Sequence, residues 1–328
     1  MGWIVSSKSL TAEWFAMQAK FEQKLNEFLD EKINTDGEVA RVSSEVILAG
    51  GKRIRPILLL KSYEMAGGKN LDEVLPLAIA FELIHTATLV HDDIYDNAKT
   101  RRGVPTLHEK FGLAKAMIAG DWMFVQGFGL GGKFDEKVVE IVSQSCARIA
   151  SAEYKQLDHI LDTTTRPEDY LEIVQGKTAG PFSAACDVAA YLAGIPSKQR
   201  EDLARFGLEL GMAFQLVDDL LDIRGDERMG KPRGADVYEG KMTLPLIHAI
   251  TILHGQDQDE LIEIIQKFDD LKFDRLISLL EQANSISYSE ILIKNHAERA
   301  LECLESFNDT DSKKLLGEIV EYAIDRII

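Results

Sequence analysis

The segment from Leu71 to Val90 is apolar nearly all the way round when read at 3.6 residues per turn, and it runs into three aspartates, Asp92, Asp93 and Asp96. A helix without a polar face must be enclosed, either by lipid or by other helices. Asp72, Glu73, Pro76, Glu82 and His85 interrupt the run, so no transmembrane segment is expected, and a central helix wrapped by neighbours is the remaining solution. Apolar residues recur at helical spacing through most of the 328 residues, whereas the alternation expected of strands is lacking. The pattern predicts an all-α, single-domain helical bundle over residues 1–328, with about ten or more helices at ordinary lengths. Gly51, Gly67, Gly68, Gly103, Gly112 and Gly225 punctuate it, and Thr165 to Glu168 reads as a capping box with Pro167 in the first turn.

The acidic helix end recurs. Asp218, Asp219 and Asp222 repeat the D-D-x-x-D spacing of Asp92, Asp93 and Asp96, again behind an apolar run. Residues i and i+4 share a helix face, so Asp92 projects with Asp96 and Asp218 with Asp222. Carboxylates crowded beside apolar segments repel one another and are costly to desolvate unless a cation neutralises them. Mg²⁺ does this with oxygen ligands, and it is usually held by one or two carboxylates together with substrate phosphates. A single cluster reads equally well as a solvated helix end. Two clusters, each followed by a basic loop, point to a diphosphate held through metal ions.

The net charge of -17 argues against a general nucleic-acid binder, which needs a basic surface to displace counterions. Anions must therefore be captured locally. Lys52, Arg53 and Arg55 sit together at a predicted helix start, where backbone N–H groups already favour an anion. Arg101 and Arg102 follow the first cluster, Lys231 and Lys241 lie on glycine-bearing loops past the second, and Lys177 with Thr178 interrupts an apolar helix. Taken singly each reads as a solvated face; grouped around carboxylates, they read as phosphate contacts. His85 and Phe214, taken alone, read as core residues. Three scattered cysteines without C-x-x-C spacing suggest reduced thiols, and a cytoplasmic protein without a signal peptide is expected.

The order Gly51 to Pro56, His85, His91 to Asp96, Arg101 to Gly103, Lys177-Thr178, Phe214-Gln215, Asp218 to Asp222 and Gly240-Lys241 resembles the trans-type isoprenyl diphosphate synthases, or polyprenyl synthetases. The resemblance implies an all-α isoprenoid-synthase bundle around a deep cavity, usually a homodimer. It implies head-to-tail condensation of isopentenyl diphosphate with an allylic diphosphate, assisted by several Mg²⁺ ions. Asp92, Asp96 and Asp218 would bridge the metal, with Asp93, Asp219 and Asp222 in support. Arg101, Lys177 and Lys241 would hold the allylic diphosphate, Thr178 and Gln215 would steady the allylic cation, and Lys52, Arg55, His85 and Arg102 would hold isopentenyl diphosphate with Phe214 on its hydrocarbon. A role for His91 does not follow. A class I cyclase normally lacks the intact second cluster, and head-to-head synthases lack the Gly51–Pro56 segment. A non-catalytic partner subunit would usually lose carboxylates or lysines that this chain keeps.

Product length should be set four, five and eight residues before Asp92, at Thr88, Ala87 and Ile84. Short-chain members of the resembled family commonly plug the tunnel with an aromatic where this chain has Ala87. A product of geranylgeranyl length or longer is expected, with a floor from Trp122, Met123 or Phe124 on the next helix.

Overall fold

The computed structural model describes residues 12–101, 103–224 and 233–326. Arg102, Lys231 and Gly225 lie outside the described residues. In chain order the helices begin with α1 (Ala12–Asp36), α2 (Glu38–Ile47), α3 (Ile54–Met65) and α4 (Leu71–Tyr95). A two-stranded antiparallel ladder follows, β1 (Thr100–Arg101) pairing with β2 (Val104–Pro105). Next come α5 (Leu107–Phe111), α6 (Leu113–Gly131), α7 (Glu136–Asp158) and α8 (Pro167–Val174). A π-helical turn, Gln175–Ala179, leads into α9 (Gly180–Ala193) and α10 (Ser197–Arg224). The chain continues through α11 (Ala235–Tyr238), α12 (Leu244–Ile252), α13 (Gln256–Gln266), α14 (Phe273–Gln282), α15 (Ser285–Cys303) and α16 (Asp311–Ile324).

Contacts divide the chain into two compact units, each built from separated stretches. One comprises Met1–Ser143, Ala184–Ala204 and Leu304–Glu318; the other comprises Gln144–Ser183, Arg205–Cys303 and Ile319–Ile328.

In the first unit α4 packs against α6, α3, α1, α2 and α5, as its all-round apolarity predicts. By length and composition α4 could cross a bilayer, but 72% of its apolar window is buried, as in the core helix of a bundle. Asn70 caps it by accepting from the Asp72 N–H at 3.2 Å. Close approach of α6 to α4 depends on glycine: a Cβ on Gly127 would meet Ile84 Cγ1 at 2.8 Å, and one on Gly120 would enter the His91 ring.

In the second unit α12 is the hub, packing on α13, α14, α15 and α8. Its Leu244, Leu246, Ile247 and Ala249 join Leu216, Leu220, Leu276 and Leu279 in one core. Pro167 does open α8, but the capping box does not form. With proline in the first helical position the cap falls on Arg166, and the Thr165 hydroxyl donates instead to Asp162 O at 2.7 Å.

Candidate active site

The first aspartate cluster occupies the last turn of α4. The Asp96 N–H donates to Asp92 O at 2.8 Å, and both side chains are half-buried. Asp93, rotated off their shared face, is only 3% exposed. It accepts from both Nε and the terminal guanidinium nitrogen of Arg101 at 2.8 Å. Burial pushes its carboxyl up, and the guanidinium opposes that rise. The β1–β2 ladder places Arg101 here by turning the chain back through Gly103, whose φ of 78° suits glycine.

Lys52, Arg53 and Arg55 separate in the structure. Lys52 is exposed and Arg55 half-buried, whereas Arg53 is turned inward. Its guanidinium donates to Glu22 Oε1 at 2.7 Å, Glu82 Oε1 at 2.6 Å and Ile47 O at 2.7 Å. His85 lies one turn along α4 from Glu82, half-buried, with its carbonyl accepting from the Thr88 hydroxyl at 2.7 Å. Ala87 is fully buried, Ile84 is buried beneath Gly127, and Thr88 is half-buried. Among the candidate floor residues, Trp122 turns to α1, donating from Nε1 to Asp36 at 2.9 Å. Met123 is buried, and the Phe124 ring lies 5.7 Å from that of His91.

In the second unit, Asp218 is half-buried and pairs with Arg326 at 2.6 Å. The Arg326 guanidinium also lies 5.3 Å from the Phe214 ring centre, and Phe214 stands 5.7 Å from Phe182. Asp219 is buried at the end of a hydrogen-bond chain. It accepts from the Tyr170 hydroxyl and, at 2.7 Å, from Gln215 Nε2, while Gln215 Oε1 accepts from the Thr178 hydroxyl at 2.8 Å. Burial, with the charges of Asp236 and Asp218, pushes the Asp219 carboxyl up to about 7, against the two donors that lower it. Asp222 is buried too, accepting from the N–H groups of Ala235 at 3.0 Å and Asp236 at 3.1 Å.

Lys177 and Thr178 sit in the π-helical turn, a departure from α geometry often found at functional sites. Lys177 Nζ is held by Glu153 Oε2 at 2.5 Å and Gln156 Oε1 at 3.1 Å, both from α7. Gly176 makes that approach possible, because a Cβ there would meet Ala152 Cβ at 2.7 Å. Lys241 pairs with Glu239 at 2.6 Å.

Each cluster thus has an inner and an outer part. Asp93, Asp219 and Asp222 are buried against protein donors; Asp92, Asp96 and Asp218 are only half-buried, Asp218 in its ion pair with Arg326. Among the described residues no three ligating side chains gather into a ready metal cage. An all-oxygen edge of one or two carboxylates, completed by phosphate oxygens and water, suits a hard divalent cation. Glu82, Glu153, Tyr170 and Arg326 are the supporting residues that sequence reasoning did not assign, and Arg53, grouped from sequence with the phosphate cations, is instead turned inward onto Glu22, Glu82 and Ile47 O. Glu82 carried a signal, since an acid inside an apolar helix requires a buried partner.

Each unit of this all-α chain carries an aspartate cluster at a helix end, and the second adds lysines held by acids, a residue set suited to diphosphate chemistry. The Polyprenyl synthetase family pattern matches residues 37–280. An all-trans-nonaprenyl-diphosphate synthase (geranyl-diphosphate specific) from Rhodobacter capsulatus is 35% identical over 311 residues, 94% of each chain. A short chain isoprenyl diphosphate synthase from Methanocaldococcus jannaschii is 34% identical over 313 residues, 93% of this chain and 94% of the relative. The crystal structure of a polyprenyl synthase from Caulobacter crescentus, complexed with calcium and isoprenyl diphosphate, is 33% identical with a TM-score of 0.89, covering 97% of this chain and 99% of that one. The chain belongs to the polyprenyl synthetase family. It is a trans-prenyltransferase with the all-α isoprenoid synthase fold, in a family dependent on divalent metal.

Proposed function

We propose that this enzyme joins isopentenyl diphosphate head-to-tail to an allylic diphosphate with Mg²⁺, giving a trans-polyprenyl diphosphate of geranylgeranyl length or longer. The observation that carries the reading is the division of each aspartate cluster into a locked interior and a half-exposed edge. Asp92, Asp96 and Asp218 would hold the metal ions, which would supply charge neutralisation for the pyrophosphate leaving group. Lys177, Lys241 and Arg101 bind the allylic phosphates. As the allylic carbon–oxygen bond breaks, its electron pair leaves with pyrophosphate. Gln215 cannot turn its amide, because Nε2 is committed to Asp219 and Oε1 to the Thr178 hydroxyl. The negative ends of these two dipoles are thereby fixed for a developing cation. Lys52, Arg55, His85 and Arg102 bind isopentenyl diphosphate without metal, and Phe214 packs on its hydrocarbon. The isopentenyl double bond attacks the cation, and the departing pyrophosphate accepts the final proton.

Ala87 supports the longer product through its residue type, a methyl group at a buried position on α4 where short-chain members commonly carry an aromatic ring. The relatives include both short-chain and nonaprenyl synthases, so similarity alone does not select a length. We further propose one functional domain, supported by the uninterrupted family match over segments of both compact units. A homodimer is favoured by Leu113, Met117, Ile118, Val125 and Phe128, large exposed apolar residues along one side of α6. The net charge argues against nucleic-acid partners, and the free cysteines fit the reducing cytoplasm. The test is a Mg²⁺-dependent incubation with isopentenyl diphosphate and, separately, dimethylallyl, geranyl, farnesyl and geranylgeranyl primers, read by mass spectrometry. A ladder ending at one length supports the reading; a folded protein that elongates no primer overturns it.

A further inference from the structure

Arg53 stands between two residues assigned above to isopentenyl diphosphate, yet its own charge is directed away from solvent. Its guanidinium is 3% exposed and reaches three elements at once: Glu22 on α1, Glu82 on α4 and the terminal carbonyl of α2, Ile47 O. Its backbone is left-handed, with φ of 53° at the position that caps α3. A non-glycine residue holds that conformation only where its surroundings enforce it. A second tie fixes the same loop from outside, because Gln18 Nε2 on α1 donates to Gly51 O at 3.1 Å. Lys52 is bracketed by these two anchors, and Arg55 follows in the first turn of α3. Glu82, the acidic partner, is one helical turn before His85.

We infer that Arg53 is a positioning residue for the isopentenyl diphosphate subsite, fixing the loop that carries Lys52 and Arg55 against the helix that carries His85. This rests on the assignment of those three residues to isopentenyl diphosphate. Three phosphate contacts from two elements recognise one diphosphate only if the elements keep a fixed spacing. Arginine suits the task because its planar fork serves several acceptors at once. Lysine offers the same charge, but its three donors converge on one nitrogen and cannot span acceptors spaced for the wider planar fork.

The test measures both substrates separately in Arg53→Lys, Gln18→Ala and Lys52→Ala enzymes, with thermal melts to score folding. Arg53→Lys should raise KM for isopentenyl diphosphate about tenfold or more while KM for the allylic primer stays at the wild-type value. Gln18→Ala, which removes an edge contact and leaves the buried pairs intact, should raise it about two- to threefold in the same selective way. A purely structural Arg53 would lower the melting temperature and leave KM for isopentenyl diphosphate unchanged, or would raise both KM values together; either result overturns the inference. If Lys52→Ala raises KM for isopentenyl diphosphate and neither other variant does, the positioning role alone falls. If Lys52→Ala has no effect on it, the substrate assignment falls and takes this inference with it.

Discussion

Tyr170 and Asp219 show how much one buried contact is asked to do. The hydroxyl supports a carboxylate that also orients Gln215, and through it Thr178. Tyr170→Phe should cost about 1–3 kcal/mol in urea unfolding, the usual cost of leaving a buried polar group short of a partner. It should also lower kcat more than either KM. Asp219 titrates above its ordinary value of 3.8, so the folded chain keeps this proton at pH values where the unfolded chain has lost it. Its contribution to stability is complete below 3.8 and is lost as pH climbs to about 7. Asp219→Asn should therefore flatten the fall in melting temperature of the metal-free protein across that window, as calorimetry at stepped pH would show. Six aspartates were legible as two clusters because spacing fixes which residues share a face. Spacing does not fix depth. Asp222 shares a face with Asp218 yet is buried, since the backbone at Ala235 and Asp236 returns onto it.

At the scale of elements, α4 was the most legible part of the chain, because a helix without a polar face has only one kind of neighbourhood open to it. The π-helical turn at Gln175–Ala179 was not legible: one extra residue shifts the helical phase, but α9 beyond it is apolar on most faces and does not register the shift. The β1–β2 ladder is too short for any alternation to register. The α4–α6 contact is where packing meets specificity. Gly127→Ala should destabilise the protein by about 1–3 kcal/mol in urea, as overpacking of a tight core does, because the new methyl meets Ile84 and the Ala80 carbonyl. Ala87→Phe, one turn further along α4, should shorten the main product by mass spectrometry. An unchanged product would remove Ala87 from the tunnel wall.

For the whole molecule, the exposed apolar side of α6 predicts that Val125→Glu combined with Phe128→Glu shifts the protein to monomer in sedimentation velocity. Chelation should abolish condensation and leave the helical circular dichroism unchanged, because the buried aspartates are also held by protein donors. In a chain of net charge -17, two of the candidate phosphate-binding cations come with acidic companions, Lys177 with Glu153 and Lys241 with Glu239. An arriving diphosphate therefore meets ion pairs, and its binding is an exchange of one anion for another. The displaced carboxylates remain nearby, so the exchange adds net negative charge that only incoming divalent cations offset. Allylic substrate affinity should accordingly track the concentration of divalent metal steeply and that of sodium chloride weakly, as primer titrations at stepped metal and salt would show.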